Sequence, residues 1–313
     1  MGSAPTDAGS SDAGSSDAGS SNASSSDAGS SDGAVAMLAA LAGAEVARAR
    51  YGSAPERTDK DGVDFTTAAD IEAERAIRAV LTRHRPHDAV VGEELGSDGE
   101  SSRRWLVDPI CGTLNFAAGV PLFGVNVALE IDGTTTAAAV ADPAAGSVFW
   151  TDGVEAWRRQ ALGNGNDTGN DTGTNTGTGH DDTALTPTAS SRLVALNLER
   201  RLPDRMGLPL LADPVFRARF RPQCLSTTLA LAWVATGQQA GYVTGGELKG
   251  NVHWAAAIEL CRAAGVVLTN LDGGELHTGV QGLVAAADHE THRFLLASLH
   301  SGRTGTARAA SAA

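Results

Sequence analysis

The chain is poor in lysine and in cysteine. Its net charge and its cysteine count each argue against a class of protein. Lys60 and Lys249 are the only lysines among 313 residues, and the formal net charge is −13. An acidic surface of this kind argues against nucleic acid or an anionic membrane as a partner. Cys111, Cys224 and Cys261 form an odd set that is too small for a disulfide framework, which favours a reducing compartment.

Long apolar runs are absent as well. The apolar stretch that begins at Ala34 meets Glu45, Arg48 and Arg50 within about 17 residues, which is short of a bilayer span. The first residues lack the basic region and the apolar segment of a signal peptide. We therefore expect a cytoplasmic protein that has no membrane partner.

Composition separates the segments that can fold from those that cannot. Residues 1–33 repeat Ser-Ser-Asp-Ala-Gly and are predicted to form a disordered acidic tail, because they bury too little apolar surface to offset the entropy of ordering. Residues 163–183 form a Gly-Asn-Asp-Thr tract that is typical of a flexible insertion in a surface loop. Residues 34–299, which include this insertion, are predicted to fold as a domain, and residues 300–313 are expected to be a flexible C-terminus.

Hydrophobic periodicity predicts a mixture of helices and strands. The predicted helices are 34–51, a helix with Asp70 near its N-terminal cap, 225–236, 255–264 and 289–299. The predicted strands are 89–91, 105–107, 123–130, 134–141, 146–151, 192–196, 240–243, 266–268 and 282–286. An Asp-Gly pair at 132–133 predicts a hairpin between two of these strands.

Two predicted strands end in carboxylates, and a helix start follows one of them. Glu93 follows the strand at 89–91, and Asp108 follows Trp105-Leu-Val. Pro109 is expected to end that strand because it has no N–H for the sheet ladder. Gly112 and Thr113 then open a helix whose free N–H groups favour an anion. This combination suits a hard cation that holds a phosphate.

These residues also carry a resemblance to a known family. Gly92-Glu-Glu followed by Trp105-Leu-Val-Asp-Pro-Ile-Cys-Gly-Thr-Leu-Asn-Phe resembles the signature of the inositol monophosphatase family. The resemblance implies an α+β fold, a layered α/β/α/β/α sandwich of two pseudo-halves, about 34–160 and 190–299, with the site between them. It also implies a small phosphorylated substrate, such as an inositol or sugar phosphate, and by analogy a homodimer.

Carried over residue by residue, the resemblance implies a magnesium site. Glu93, Asp108 and the carbonyl of Ile110 match metal ligands for Mg²⁺, with Mn²⁺ as a substitute. Thr113 matches the threonine that activates a water together with the glutamate. The N–H groups of Gly112 and Thr113 match the phosphate-binding positions.

Other positions of the family pattern are matched less directly. Lys60 and Asp64 match supporting residues that precede the metal site, where Asp64, Thr67 and Asp70 follow an Asp-x-x-Thr-x-x-Asp pattern. The candidates for substrate contacts are Ser226, Thr227 and Glu247.

Two expected metal aspartates are replaced. The family motif is Asp-Pro-Ile-Asp-Gly-Thr, and Cys111 stands at its second aspartate. Alignment on the family's final metal motif places His253 where the last aspartate belongs. Thiolate and imidazole are soft or borderline donors that prefer zinc, iron or copper to magnesium.

Three hypotheses follow from this pattern, and the sequence leaves all three open. The first is an active phosphomonoesterase with altered specificity, supported by Glu93, Asp108 and Thr113. The second is a non-catalytic descendant that binds a ligand or a partner. The third is a site in which Glu93 and Asp108 join Cys111 and His253 to bind Zn²⁺ or another transition metal.

Overall fold

The structure is a computed structural model that describes residues 1–2, 30–53, 57–60, 65–161, 182–198 and 207–310. The predicted acidic tail and the predicted insertion lie largely outside the described residues, and so does Asp64. None of the helices in the described part of the chain combines the length and the apolar character that a bilayer-spanning segment needs.

The described residues form eight helices. They are α1 (Asp32–Arg50), α2 (Ala68–His84), α3 (Thr113–Ala117), α4 (Gly207–Ala212), α5 (Pro214–Arg219), α6 (Leu229–Ala235), α7 (Ala255–Ala263) and α8 (His289–Ala310). The predicted helices are all present, although α6 begins at Leu229 rather than at residue 225. Helix α8 continues to Ala310, so the backbone of residues 300–310 is helical where a flexible terminus was expected.

The first half of the chain forms two sheets. A small hairpin pairs β1 (Arg57–Asp59) with β2 (Phe65–Thr67). The strands of the larger sheet are β3 (Ala89–Gly92), β4 (Gly96–Asp98), β5 (Arg103–Cys111), β6 (Gly124–Ile131), β7 (Thr134–Asp142), β8 (Ser147–Thr151), β9 (Ala156–Gln160) and β10 (Thr183–Ala184). Their order is β10-β9-β8-β7-β6-β5-β3-β4, and the parallel pair is β3 with β5.

The second half forms a five-stranded sheet. Its strands are β11 (Leu193–Asn197), β12 (Arg221–Cys224), β13 (Gly241–Gly245), β14 (Val267–Thr269) and β15 (Gly282–Ala286), in the order β12-β11-β13-β15-β14. Strand β11 runs parallel to both β12 and β13. The hairpin predicted between β6 and β7 is confirmed, with positive φ at Asp132 and Gly133 as a tight type I′ turn requires.

Alternating side chains on β5 divide the core into layers. Trp105 and Val107 face the cluster that α1 and α2 cover, whereas Leu106 faces α6 and α7. The same α6–α7 cluster includes Tyr242 and Leu283 of the second sheet, so these two helices lie between the sheets. The alternation follows from the two-residue period of a strand, which sends neighbouring side chains to opposite faces.

The far face of the second sheet carries the last helical layer. Val243 and Val284 pack there against Leu210, Phe216 and Leu295 of α4, α5 and α8. The order of layers is therefore α1–α2, first sheet, α6–α7, second sheet, α4–α5–α8. This confirms the predicted α/β/α/β/α sandwich and places the edge of β5 beside the N-terminal ends of α6 and α7.

Candidate metal and phosphate site

Parallel pairing brings the two predicted acids to one edge of the first sheet. Gly92 at the end of β3 pairs with Val107 of β5, and the amide of Glu93 donates to the carbonyl of Val107 at 3.1 Å. Asp108 follows in β5 and is completely buried. Because parallel strands end at the same edge, Glu93 and Asp108 become neighbours without being close in sequence.

The predicted end of β5 at Pro109 is wrong, because the strand continues to Cys111. The register of β5 on β6 shifts between Asp108 and Cys111, which marks a β-bulge. A proline is tolerated at a bulge because the ladder needs no N–H there. The Ile110 carbonyl is not left free, since it accepts a hydrogen bond from the Thr113 hydroxyl at 3.1 Å.

Gly112 makes the sharp turn from β5 into α3. Its φ is +101°, and a Cβ at this position would lie 2.8 Å from the carbonyl oxygen of Leu122. Any residue with a side chain would therefore be strained and crowded here. The turn places the hydroxyl of Thr113 3.3 Å from Oδ1 of Asp70.

Asp70 joins the site from the first turn of α2. Its Oδ2 accepts the Thr67 backbone N–H at 2.9 Å, which closes a capping box and holds the carboxylate in place. Burial raises the pKa of Asp70 to about 6. Sequence analysis placed Asp70 only as a helix cap within the family pattern, and the contact with Thr113 adds it to the functional residues.

Lys60 lies over the two glutamates that follow β3. Its Nζ is 2.8 Å from Oε1 of Glu94 and 3.2 Å from Oε1 of Glu93. Burial acts to lower the pKa of Lys60, but the Glu94 hydrogen bond and both carboxylates outweigh it, so the net shift is upward. Burial and the nearby Asp108 charge raise the pKa of Glu93 to about 8.

A buried glutamate that sequence analysis missed holds the Glu93–Glu94 turn. The side chain of Glu74 is fully buried, and it accepts the backbone N–H groups of Glu94 at 2.8 Å and Leu95 at 3.2 Å. Arg78 balances its charge at 2.8 Å. A Cβ on Gly92 would lie 1.9 Å from Oε1 of Glu74, so this glycine leaves the room that the carboxylate occupies. The sequence contained one indication of Glu74, namely its four-residue spacing from Asp70, which places both acids on one face of α2.

The replaced positions converge on Asp108. Nδ1 of His253 lies 2.8 Å from Oδ2 of Asp108 and 3.8 Å from Oε2 of Glu93. One ligand atom each from Asp108, Cys111 and His253 falls within 4.8 Å of the others. The fold therefore brings Cys111 and His253 next to Asp108, and the alignment of His253 with the family's last metal aspartate stays a prediction.

Hydrogen bonds from two neighbouring elements hold these groups. Sγ of Cys111 accepts from the Thr228 hydroxyl at 3.1 Å and from the Thr228 amide at 3.4 Å. Nδ2 of Asn126 donates to Oδ2 of Asp108 at 3.2 Å and to the Thr228 hydroxyl at 2.8 Å. Oδ1 of Asp108 is buried and has no hydrogen-bond partner in the described part of the chain, which is unusual for a carboxylate oxygen.

His253 places a positive charge beside Asp108. Burial acts to lower the pKa of His253, but the adjacent Asp108 carboxylate outweighs burial and raises this pKa to about 11. Burial raises the pKa of the Cys111 thiol. The metal-free group is thus an imidazolium paired with Asp108 beside a neutral thiol.

The predicted substrate contacts are placed unevenly. Thr227 is buried, and its hydroxyl donates to the carbonyl of Cys111 at 3.4 Å. Ser226 meets the site through its carbonyl, 3.5 Å from Nδ2 of Asn115. Glu247 is exposed on the loop after β13. Their roles in substrate binding stay predictions.

The donors fit two different kinds of metal ion. Glu93, Asp108 and the Ile110 carbonyl offer oxygen atoms, and the unpartnered Oδ1 of Asp108 is the donor that a hard cation would complete. Cys111 and His253 offer sulfur and nitrogen, which do not suit magnesium. The oxygen donors therefore fit Mg²⁺, and the replaced positions do not.

Comparison with known proteins agrees with this architecture. The family model described as "Inositol monophosphatase family" matches residues 31–304. Among curated proteins, the chain is 32% identical over 221 residues to "Uncharacterized protein y4fL" of Sinorhizobium fredii, which covers 68% of this chain and 70% of that protein. It is 36% identical over 110 residues to the inositol-1-monophosphatase of Mycobacterium bovis, which covers 33% of this chain and 38% of that enzyme.

A solved structure shows the same fold. The chain superposes on the extragenic suppressor protein SuhB from Bartonella henselae with a TM-score of 0.69 at 24% identity, covering 85% of this chain and 96% of that one. By contrast, the sequence match spans less than half of the curated mycobacterial enzyme. The family match over residues 31–304 covers most of the sequence. The chain therefore belongs to the inositol monophosphatase family.

Proposed function

We propose that the protein hydrolyses a small phosphomonoester, of the inositol or sugar phosphate class, with a bound Mg²⁺ or Mn²⁺ ion. The observation that carries the proposal is the buried Asp108 carboxylate, whose Oδ1 has no partner among the described residues and which lies beside Glu93 and the Ile110 carbonyl. A buried carboxylate oxygen without a hydrogen bond is costly unless a cation completes it.

Each residue of the oxygen-donor group has a distinct role in this proposal. Glu93, Asp108 and the carbonyl of Ile110 would hold the ion, which supplies charge stabilisation and a more acidic bound water. Thr113, fixed by Asp70 at 3.3 Å, orients the attacking water and takes part in its deprotonation. The N–H groups of Gly112 and Thr113 would donate hydrogen bonds to the phosphate oxygens.

The substrate class follows from charge and from the relatives. A chain with a net charge of −13 needs a local cation to hold an anionic substrate. A matching relative from Mycobacterium bovis is named inositol-1-monophosphatase. The cytoplasmic location and the homodimer remain predictions.

Two ion pairs favour a second candidate function, a non-catalytic protein that binds a ligand or partner. Lys60 pairs with Glu93 at 3.2 Å, and His253 pairs with Asp108 at 2.8 Å, so each metal carboxylate has an internal cation. A site satisfied in this way would hold metal weakly. The two functions therefore differ in whether added Mg²⁺ displaces these pairs.

The test is phosphate release from a panel of inositol and sugar phosphates with Mg²⁺ or Mn²⁺, using the full chain, Glu93→Gln and Asp108→Asn. Removal of one such electrostatic element is expected to lower kcat by ~10²-fold or more. Glu72→Gln, on the exposed side of α2, serves as the matched control and should keep full activity. Wild-type turnover equal to that of the two site variants would favour the non-catalytic function.

A further inference from the structure

We propose that Asp108, Cys111 and His253 form a binding site for Zn²⁺ or a similar transition metal ion. Cys111 and His253 stand where the family pattern is expected to have two metal-binding aspartates. The inference rests on the proposed function in one respect, since it assigns the second cation of the same site. It goes beyond that function because it changes the chemical class of the ion. Magnesium would then serve only the oxygen donors around Glu93.

The donor set is of the right type and number. Zinc sites that take part in chemistry use three protein ligands drawn from Cys, His and carboxylates, and leave one position open. Sγ of Cys111, one ring nitrogen of His253 and one carboxylate oxygen of Asp108 lie within 4.8 Å of one another. Ligands around a tetrahedral zinc ion are roughly 3.3–3.8 Å apart, given bond lengths of about 2.0–2.3 Å. Movements of about 1 Å in the side chains would close this site.

The surroundings hold each ligand in the orientation that a metal site requires. The Thr228 hydroxyl and amide both point at Sγ of Cys111, at 3.1 and 3.4 Å, and such donors favour a thiolate. Asn126 links this pair to Asp108 by bonding both the Thr228 hydroxyl and Oδ2 of Asp108. Outer contacts of this kind orient metal ligands and tune their basicity.

The open coordination position faces the phosphatase residues. Oε2 of Glu93 lies 3.8 Å from Nδ1 of His253. A fourth ligand could therefore be Glu93, a water or a substrate phosphate oxygen.

Two of the three ligands are already in contact, since Nδ1 of His253 lies 2.8 Å from Oδ2 of Asp108.

Cobalt titration of the metal-free full chain tests the proposal, because a thiolate bound to Co²⁺ gives an intense charge-transfer band. We expect one equivalent of Co²⁺ to produce the band, Zn²⁺ to displace it, and excess Mg²⁺ to leave it unchanged. Cys111→Ser should abolish the band, and zinc affinity should fall by about 100-fold or more, at least the loss that follows removal of an outer contact. Cys224→Ser is the matched control, since Cys224 is exposed and is not one of the three proposed ligands, and it should keep the band.

Two results would overturn the inference. One is a wild-type chain with no thiolate band at stoichiometric Co²⁺, and the other is a band that survives in Cys111→Ser. If Cys111→Ser does not fold, His253→Gln takes its place and should weaken zinc binding while the thiolate is still present. The titration contains no substrate, so a chain that binds Co²⁺ but never releases phosphate contradicts only the proposed function. A chain that hydrolyses with Mg²⁺ but shows no band contradicts only this inference.

Discussion

The two sides of the site differ in their chemistry, although they share Asp108. The oxygen side consists of Glu93, Ile110, Thr113 and Asp70, and the soft side consists of Cys111, His253 and Thr228. The oxygen side offers the carboxylate and carbonyl oxygens that suit a hard cation, whereas Cys111 and His253 offer sulfur and nitrogen. The difference teaches that one shared carboxylate can face two donor sets that suit different metal ions.

The largest effect should come from removing the hydroxyl of the oxygen side. Thr113→Ala is expected to lower kcat by ~10²-fold or more, because general acid–base steps contribute about that much. Thr113→Ser should restore most of the rate, since it keeps the hydroxyl that bonds Asp70. Thr228→Val is the control on the soft side, and it should leave Mg²⁺-dependent hydrolysis nearly unchanged while weakening zinc binding. Equal losses of kcat in Thr113→Ala and Thr228→Val would contradict the distinction between the two sides.

Replacing both Cys111 and His253 by aspartate should give the soft side the oxygen donors that it lacks. Cys111→Asp combined with His253→Asp is expected to raise Mg²⁺-dependent hydrolysis by about tenfold, equivalent to ~1.4 kcal/mol of transition-state stabilisation. The two changes should be non-additive, because magnesium needs both oxygens to complete its shell. Steady-state rates of the wild type, both single variants and the double variant measure this. A double variant that folds but binds no more Mg²⁺ than the wild type would mean that the pocket no longer matches the family's second metal position.

Glu74 offers a test of how firmly the oxygen side is held. Glu74→Ala leaves two backbone N–H groups and Arg78 without the buried carboxylate that accepts from them, so we expect about 2–3 kcal/mol of destabilisation and weaker Mg²⁺ binding. Glu72→Ala on the same helix removes an exposed pair and should cost about 0.5 kcal/mol or less. Urea unfolding and Mg²⁺ titration report the two quantities.

A double variant can test whether Glu74 is the group that crowds a side chain at Gly92. Gly92→Ala should be severely destabilising because its Cβ would lie 1.9 Å from Glu74 Oε1. Gly92→Ala with Glu74→Ala should be more stable than Gly92→Ala alone, since the obstructing carboxylate is gone. If the double variant were no more stable, the crowding would have another source.

The last prediction concerns the pH dependence of stability. The pKa of His253 is raised from 6.5 to about 11 in the folded metal-free chain. Its contribution is therefore fully present below pH 6.5 and is lost as pH rises towards 11. His253→Gln should flatten this decline in the free energy of unfolding, measured by urea melts between pH 6.5 and 10.

Sequence patterns predicted the helices and strands, the family resemblance predicted the layers, and both missed features that depend on non-local contacts. The periodicity of Trp105 to Val107 and the Asp-Gly turn at 132–133 depend on local preferences, and both predictions were confirmed. The end of β5 was wrong because pairing with β6 carries the strand past Pro109 through a bulge. Glu74 was missed because its acceptor role depends on a turn 20 residues away.

The contact between His253 and Asp108 lay beyond local analysis as well. The two residues are 145 positions apart, and only alignment with a family motif suggested their contact. Asp64 lies outside the described residues, so its supporting role is still a prediction. The length of α8 was underestimated because residues 300–310 have little apolar periodicity, although their backbone continues the helix.

The soft side draws its ligands from separate elements of the fold. Asp108 and Cys111 belong to β5 of the first sheet, whereas His253 precedes α7, which packs between the sheets. A metal ion bound by all three would act as a cross-link, and its residence time would depend on how often the layers part as well as on bond strength. Hydrogen exchange at the Thr228 amide, which faces Cys111, should slow when the ion binds. Metal occupancy would thereby set the frequency of large-scale opening in this chain.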